Sequence, residues 1–347
     1  MRHTLLSASL FGTGLIFLPA DQALCYELGQ GIHAGDYYVS GYANVEVADR
    51  FDVPSKLGVD DLSMFAGGRV NQYFNPFTEI ELAKHTLIQQ GGGAVQGDVV
   101  VERFYNDTLL SDHNTLRLGK ILTPLGDWNL IHAAPLTPII TRPYTTALGF
   151  DAYTSGVNWL HDPENGKTFD FQLYGEPVGE LFKRPASQSP RNFRNTYGGH
   201  INLPLGLLDK VGASYQHSQL IETGETFTLY GINANKSFGK LNLQSEAVSA
   251  HFSGTLLSGA APRFHNNESG IFALADYSVT PQWHGILEGE YYQDHLVALP
   301  SRSMSIDIAY RPSTPVVWKL EYTHQAGVSA SFAPIQTGLK ASFSTLF

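Results

Sequence analysis

Cysteine is almost absent from the 347-residue chain, with Cys25 as the single example. One cysteine excludes an intramolecular disulfide and any metal site built from several thiolates. Charged residues are also scarce, at 16% against roughly 25% in ordinary soluble domains. Lys and Arg total 22 and Asp and Glu total 32, which gives a net charge of −10. Because phosphate backbones require a basic surface, the sequence predicts no nucleic-acid partner.

Long apolar runs are missing beyond residue 25, so the sequence predicts no membrane-spanning helix, which needs about 20 apolar residues. At the start of the chain, basic residues precede an apolar stretch over residues 5–18, and small residues follow up to Cys25. This pattern is typical of a secretory signal peptide. We therefore expect residues 1–25 to be a signal peptide and residues 26–347 to form the mature domain. A lipidated Cys25 is disfavoured, because Leu24 is too large for the position before such a cysteine.

Alternation of apolar and polar residues dominates the mature chain. From Ile335 to Phe347 the odd-numbered positions form a largely apolar face, and the even-numbered positions as far as Ser344 are polar or glycine. A period of two residues indicates β-strands. Sixteen strands are predicted, with approximate limits 36–48, 61–74, 77–88, 95–105, 114–121, 152–161, 167–175, 193–203, 208–217, 225–236, 240–250, 268–279, 282–293, 302–311, 315–325 and 335–347.

The predicted connections alternate between short turns and longer loops. Asn75-Pro76 and Thr280-Pro281 are examples of the short class, and residues 122–151 form the longest loop. Outer-membrane barrels have short turns at the periplasmic rim and long loops outside. The predicted fold class is therefore all-β: a transmembrane antiparallel up-and-down β-barrel of about 16 strands. A soluble periplasmic β-protein is the alternative, since alternation alone does not distinguish a lumen from a solvent-facing surface.

Two segments resemble known outer-membrane proteins. Residues Gly338 to Phe347 resemble the terminal strand of Gram-negative outer-membrane barrels, which implies recognition by the barrel-insertion machinery through the strand that ends in Phe347. The stretch from Leu116 to Gly126, followed by Arg142-Pro143, resembles the third-loop region of the phosphate-selective porin O and P-type proteins. The resemblance implies a porin in the bacterial outer membrane, surrounded by its lipid, and a homotrimer.

The long loop departs from the pattern of the phosphate-selective porins. Those porins use Arg and Lys at the constriction, whereas residues 122–151 contain Arg142 as their only Arg or Lys. Asp127 and Asp151 offset that charge, so a phosphate filter is doubtful. The loop is rich in proline, which makes it stiff. We expect it to fold into the lumen as a constriction.

Charged and titratable residues on the predicted polar faces and in the long loop are the candidates for the pore wall. Mixed signs across a lumen predict weak selectivity for small polar solutes. Glu288 and Glu290 share a face and resemble an acid–base pair, but a pore wall explains them without catalysis. The candidates are Arg117, Lys120, Asp127, His132, Arg142, Asp151, Glu288, Glu290, Asp307, Lys319, Glu321 and Lys340.

The predicted function is passive diffusion of small hydrophilic solutes or ions across the outer membrane. No catalytic, cofactor or metal motif is recognisable, so we expect no enzyme activity and no cofactor. The net negative charge favours a mild preference for cations. Two alternatives are an outer-membrane barrel hydrolase and a non-conducting structural or adhesive barrel.

Overall fold

The computed structural model describes residues 25–51, 53–93, 95–131, 133–147, 150–163, 168–177, 179–184, 191–206, 209–257, 263–327 and 337–347. Residues 1–24 of the predicted signal peptide and the candidate His132 lie outside the described residues.

The described residues form 18 β-strands and two single helical turns. The helical turns, a 3-10 turn at Trp128–Leu130 and α1 at Tyr144–Ala147, both lie in the connection between β7 and β8. No helix in the described part of the chain is long and apolar enough to span a bilayer. The strands are β1 Cys25–Glu27, β2 Gly31–Ala34, β3 Tyr37–Arg50, β4 Lys56–Gly68, β5 Asn75–Gln89, β6 Asp98–Ser111, β7 Asn114–Leu122, β8 Tyr153–His161, β9 Asp170–Glu176, β10 Phe193–Pro204, β11 Lys210–Leu220, β12 Thr226–Phe238, β13 Leu241–Ser253, β14 Asn267–Ser278, β15 Trp283–Gln293, β16 Ser301–Ser313, β17 Val316–Gly327 and β18 Gly338–Leu346.

Strands β3 to β18 close into a barrel. Each pairs antiparallel with its neighbour in sequence, and β18 pairs back onto β3 from Gly338↔Arg50 to Leu346↔Tyr42. The short strands β1 and β2 form a hairpin that adds to the first residues of β3. Beside it, the backbone groups of Phe347 and Gly41 exchange two hydrogen bonds of 2.9 Å. The predicted 16-stranded all-β barrel is confirmed, with the N-terminal hairpin as an addition.

Most connections keep the predicted alternation of short and long, but the first two, residues 51–55 and 69–74, are of similar length, and the second strand was placed wrongly from the sequence. The second barrel strand, predicted at 61–74, spans Lys56–Gly68, and the predicted turn at Asn75-Pro76 is instead the start of β5. The side chain of Asn71 explains the difference, because its Oδ1 accepts backbone hydrogen bonds from Tyr73 and Phe74 at 2.7 and 2.9 Å. Such a side-chain contact stabilises a turn where alternation alone predicted strand.

The two faces of the barrel are reversed relative to a soluble β-protein. Large apolar residues such as Val99, Ile232 and Ile306 are exposed on the outside, at 70%, 65% and 54%. Polar residues such as Ser63 and Gln216 are fully buried inside. A closed barrel with an apolar exterior satisfies every strand's backbone groups in a bilayer, and it is how strands cross the bacterial outer membrane. The protein is therefore located in the outer membrane, as predicted.

Candidate functional site

The long connection between β7 and β8, residues 123–152, folds into the lumen. Its apolar side chains pack against strands β14 and β15 of the barrel wall. The ring of Trp128 meets Phe272 edge to face at 5.6 Å, and Tyr144 meets Tyr292 at 5.9 Å. Trp128 and Tyr144 are both buried. This arrangement gives the connection, called the lumen loop below, a fixed position within the barrel.

Glu246 on β13 anchors the first part of the lumen loop. Its Oε1 accepts backbone hydrogen bonds from Asp127 at 2.8 Å and Trp128 at 2.7 Å. The backbone turns sharply just before, at Gly126, whose φ is +61°. A Cβ at Gly126 would lie 2.1 Å from Oε2 of Glu246, so the close approach requires glycine.

Glu290 on β15 and Glu321 on β17 anchor the second half of the lumen loop in the same way. Glu290 accepts backbone hydrogen bonds from Tyr144 at 3.0 Å and Thr145 at 2.7 Å, and another from the Thr145 hydroxyl at 2.6 Å. The Oε2 of Glu321 accepts the backbone N–H groups of residues 140 and 141, each at 2.8 Å. Charge-assisted bonds of this kind are about twice as strong as neutral ones. Three carboxylates thus each hold two consecutive backbone N–H groups.

Cationic side chains hold carbonyl and hydroxyl oxygens of the same loop. The Nζ of Lys319 donates to the carbonyls of Ala134 at 2.8 Å and Ile139 at 3.2 Å. Arg311 donates to the carbonyl of Pro135 at 2.8 Å, and Lys340 donates to the Thr141 hydroxyl at 2.5 Å. The set of Glu246, Glu290, Glu321 and Lys319 is called the anchoring wall below.

A cavity of about 360 Å³ remains between the lumen loop and strands β4 to β6. Asp61 on β4, Glu81 on β5 and Glu102 on β6 line it from the barrel side, and these three residues are called the acidic wall below. Arg142 of the lumen loop and Arg184, from the connection between β9 and β10, line the same cavity. Lys84 on β5 lines the cavity as well, so the barrel side contributes carboxylates and a lysine, and the two loops contribute arginines.

The loop side of the cavity is held by hydrogen bonds. Arg142 donates to Oδ1 of Asn129 at 2.8 Å and to the carbonyl of Thr146 at 2.5 Å, and burial lowers the pKa of Arg142. Arg184 pairs with Asp151 at 2.7 Å. Burial raises the pKa of Asp151 to about 6, against the opposing effect of the Arg184 charge.

Comparisons with known proteins concern the fold of the chain. No family model matches the chain. A protein of Aquifex aeolicus (strain VF5), described as uncharacterized, is 29% identical over 119 residues, which are 34% of this chain and only 26% of that protein. OmpF of Salmonella typhi, solved in complex with daunomycin, superposes with a TM-score of 0.67 at 10% identity, over 94% of this chain and 99% of that chain.

Two further solved structures share the architecture. The loop-deletion mutant OmpTdeltaL8 of the Vibrio cholerae outer membrane protein OmpT has a TM-score of 0.63 at 12% identity, over 90% of this chain and 99% of that chain. An anion-selective porin from Comamonas acidovorans has a TM-score of 0.59 at 12% identity, over 90% and 99% of the two chains. The chain has the fold of bacterial outer-membrane porins. At these identities the similarity establishes the fold alone.

Within this porin fold the predicted site residues separate into three groups. Arg142 and Asp151 line the cavity, whereas Glu290, Glu321, Lys319 and Lys340 hold the lumen loop. The remaining described candidates pair with other groups or are buried in the barrel wall, and of these Asp127 belongs to the lumen loop itself. Lys120 is buried against Glu180 at 2.8 Å, Arg117 pairs with Asp107 at 2.7 Å, Asp127 pairs with Lys210 at 2.6 Å, and Glu288 and Asp307 are buried in β15 and β16.

The acidic wall and Arg184 were not among the predicted site residues. Alternation places Glu81 and Glu102 within predicted strands, so their strand positions could have been noted as lumen candidates. The sequence carries no signal that strands β4 to β6 face the open side of the lumen loop. That position follows from the anchoring contacts, which join residues as distant in the chain as Tyr144 and Glu290.

A buried group of Glu268, Asp294 and His295 has spacing that a metal ion could use. Arg191 is already bonded to this group, because it donates to both carboxylate oxygens of Glu268 at 3.0 and 2.5 Å. His295 Nδ1 lies 2.7 Å from Glu268 Oε2 as well. A guanidinium in this position repels a cation, so the group is an internal ion-pair network rather than a metal site.

Proposed function

We propose that the protein is an outer-membrane porin through which small hydrophilic solutes or ions diffuse passively. The observation that carries the proposal is the lumen loop, which is fixed inside a polar barrel and leaves a charged cavity of about 360 Å³ beside strands β4 to β6. A pore narrowed by a rigid polar constriction admits hydrated solutes and disfavours apolar ones. The proposal includes the absence of catalytic activity.

The acidic wall supports a preference for cations in the proposed pore. Glu81 is buried on the lumen side and forms no ion pair with Lys or Arg among the described residues. Arg142, in contrast, is held by neutral groups of its own loop. A carboxylate field along the remaining passage raises the local concentration of cations.

Three finer features belong to the same proposal. The resemblance of residues 116–126 and Arg142-Pro143 to the phosphate-selective O and P-type porins supports a constriction formed by the third loop. The Vibrio cholerae OmpT structure is described in a trimer form, which supports a homotrimer for this chain. Insertion through the terminal strand ending in Phe347 remains part of the proposal.

Single-channel recording of the purified, refolded protein in a planar bilayer tests the function. The wild type is compared with a variant that lacks residues 126–148. We expect steady open steps in the wild type and steps several times larger in the variant, because the loop fills the lumen. The reversal potential in a KCl gradient should indicate a preference for cations. A protein that is folded by circular dichroism but silent would overturn the proposal and favour a barrel hydrolase or an adhesive barrel.

A further inference from the structure

Charges of both signs line the cavity beside the lumen loop, and they are close to balanced. The charged residues of the described lining are Asp60, Asp61, Glu81, Glu102 and Asp151 on the acidic side of the count and Lys84, Arg142, Arg184 and Arg191 on the basic side. A solute with a single charge is attracted by one of these sets and repelled by the other. The balance favours a solute that carries both charges and is neutral overall.

The two signs are largely separated across the cavity. Asp61, Glu81 and Glu102 belong to the neighbouring barrel strands β4, β5 and β6. Arg142 belongs to the lumen loop, and Lys84, the cation on the barrel side, is exposed. Opposite charges on facing walls produce an electric field across the passage. A dipolar solute is therefore oriented with its positive end toward the acidic wall.

Glu81 is the buried member of the acidic wall that lacks a cationic partner. It is 5% exposed and forms no ion pair with Lys or Arg within the described part of the chain. Its contacts are the Ser63 hydroxyl, which donates to it at 3.4 Å, and the carboxyl groups of Asp61 and Glu102. Because a buried carboxylate without a counter-charge is costly, Glu81 favours an ammonium group brought by a solute.

Arg142 has donors to offer on the other side of the cavity. Its Nε donates to the Thr146 hydroxyl at 3.1 Å, and its Nη2 donates to Oδ1 of Asn129 at 2.8 Å and to the carbonyl of Thr146 at 2.5 Å. These acceptors are neutral, and its Nη1 donates to none of the described residues. A carboxylate at Nη1 would form a charge-assisted hydrogen bond and compensate the guanidinium charge.

The other two arginines of the cavity already have carboxylate partners. Arg184 pairs with Asp151 at 2.7 Å, and Arg191 pairs with Glu268 at 2.5 Å. Their charges are therefore largely compensated within the protein. Arg142 is the arginine of the lining that best suits the carboxylate of a solute.

We propose that this cavity binds a small zwitterionic solute of the α-amino acid class, with its ammonium group at Glu81 and its carboxylate at Arg142. The inference rests on the proposed pore, because the solute reaches the cavity through the lumen. The cavity volume of about 360 Å³ is near the lower end of ligand pockets, roughly 300 to 1,000 Å³, and therefore suits a small solute.

Four solutes of nearly equal size test the proposal by separating the two charges. L-alanine carries both charges at neutral pH, alaninamide carries only the positive one, lactate only the negative one, and lactamide neither. Isothermal titration calorimetry on the refolded, detergent-solubilised protein measures binding without requiring conduction. We expect L-alanine to bind roughly tenfold more tightly than alaninamide or lactate, each of which lacks one charge-assisted hydrogen bond.

Two substitutions assign the two ends of the solute. Glu81→Gln should weaken binding of L-alanine about tenfold without changing that of lactate, and Arg142→Gln should weaken binding of L-alanine about tenfold without changing that of alaninamide. Arg142→Lys, which keeps the charge, should retain most of the affinity, and Asp170→Asn on β9 should retain all of it. Circular dichroism checks that each variant is folded. Equal loss of all charged solutes in both glutamine variants would contradict the assignment.

Single-channel recording separates this inference from the proposed function. L-alanine should interrupt the KCl current of the wild type, whereas lactamide should not. A conducting protein that binds the four solutes equally would overturn the inference and leave the pore intact. Tighter binding of alaninamide than of L-alanine would show a plain cation site and also overturn it. A silent protein that still binds L-alanine would instead overturn the proposed function.

Discussion

Two arcs of the same lumen use buried carboxylates in opposite ways. In the anchoring wall, Glu246, Glu290 and Glu321 each accept two consecutive backbone N–H groups of the lumen loop. In the acidic wall, Glu81 meets the carboxylates of Asp61 and Glu102 instead. The amino acids are chemically equivalent, so the difference arises from the groups that face them. The position of one loop therefore divides the lumen into a side that supports the loop and a side that keeps a cavity.

The division follows from hydrogen-bond requirements. An irregular loop inside a barrel carries backbone N–H groups that must find acceptors away from bulk water. Glutamates on β13, β15 and β17 satisfy them, so the loop is held near these strands. Among the described residues, Glu81 on the opposite arc accepts a hydrogen bond from the Ser63 hydroxyl and not from a backbone N–H group of the loop.

The largest effect on conductance is expected when the two anchors Glu290 and Glu321 are removed together. Glu290→Ala with Glu321→Ala leaves four backbone N–H groups of the loop without their acceptors, at a cost of about 1 to 3 kcal/mol for each buried unsatisfied group. We expect the loop to leave its position and the single-channel conductance to approach that of the loop-deletion variant. The control is Glu81→Ala, which removes a lumen carboxylate of similar burial without touching the loop. Equal conductance of the two variants would contradict the distinction between the arcs.

A smaller effect is expected on selectivity when the charge of the acidic wall is reversed. Glu81→Lys should lower the ratio of cation to anion permeability several-fold, because one unit charge near a protein surface changes ion energies by roughly 1 to 4 kcal/mol at 4 Å. The reversal potential in a KCl gradient without divalent ions measures the ratio. Asp170→Lys, on β9, should change it less. A reversal potential that is unaffected by Glu81→Lys would show that solutes do not pass along this arc.

The barrel itself was largely predictable from the sequence, because strand alternation and turn residues are local signals. All sixteen barrel strands were identified, and so was the long third loop. The error at the second strand came from a local contact that alternation does not register, in which the Asn71 side chain stabilises the turn over residues 69–74. Phe347 lies beside Gly41, where β18 closes the barrel, and recognition of this terminal strand by the insertion machinery stays a prediction.

The roles of the site residues were less predictable. Glu290, Glu321 and Lys319 were expected to line a pore, and the structure shows each of them bonded to the lumen loop. These contacts join residues 145 to 185 positions apart in the chain. A single sequence indicates which residues face the lumen, but it does not indicate which backbone groups a folded loop presents to them.

Two glycines with similar backbone angles provide a test of the first anchor, Glu246. Gly126 and Gly239 have nearly equal positive φ values, +61° and +62°. A Cβ would collide with Glu246 at Gly126, whereas no heavy atom lies within 4 Å of the Cβ position at Gly239. Both alanine variants carry the same backbone strain of about 1 kcal/mol. We expect only Gly126→Ala to increase current noise and conductance, since only that change disturbs the Glu246 anchor. Identical single-channel traces from the two alanine variants would show that the anchor tolerates displacement of the Glu246 side chain.

The smallest expected effect is a pH dependence of folding stability that arises from Asp151. This residue lines the cavity together with the acidic wall. Burial raises its pKa from 3.8 to about 6, so between those values the folded protein holds a proton that the unfolded chain has released. Stability contributed by this group is therefore lost as pH rises from about 4 to about 6. Asp151→Asn should flatten the dependence of the urea midpoint on pH within that window.

The control is Asp209, whose pKa is lowered mainly by its hydrogen bond with Lys236. Its contribution to stability is lost only as pH falls below the ordinary range of a carboxyl group, so Asp209→Asn should leave the slope between pH 4 and 6 unchanged. If Asp151→Asn retains the wild-type slope, Asp151 is not the group that titrates there. The buried carboxylates of the acidic wall would then be the next groups to substitute, beginning with Glu81.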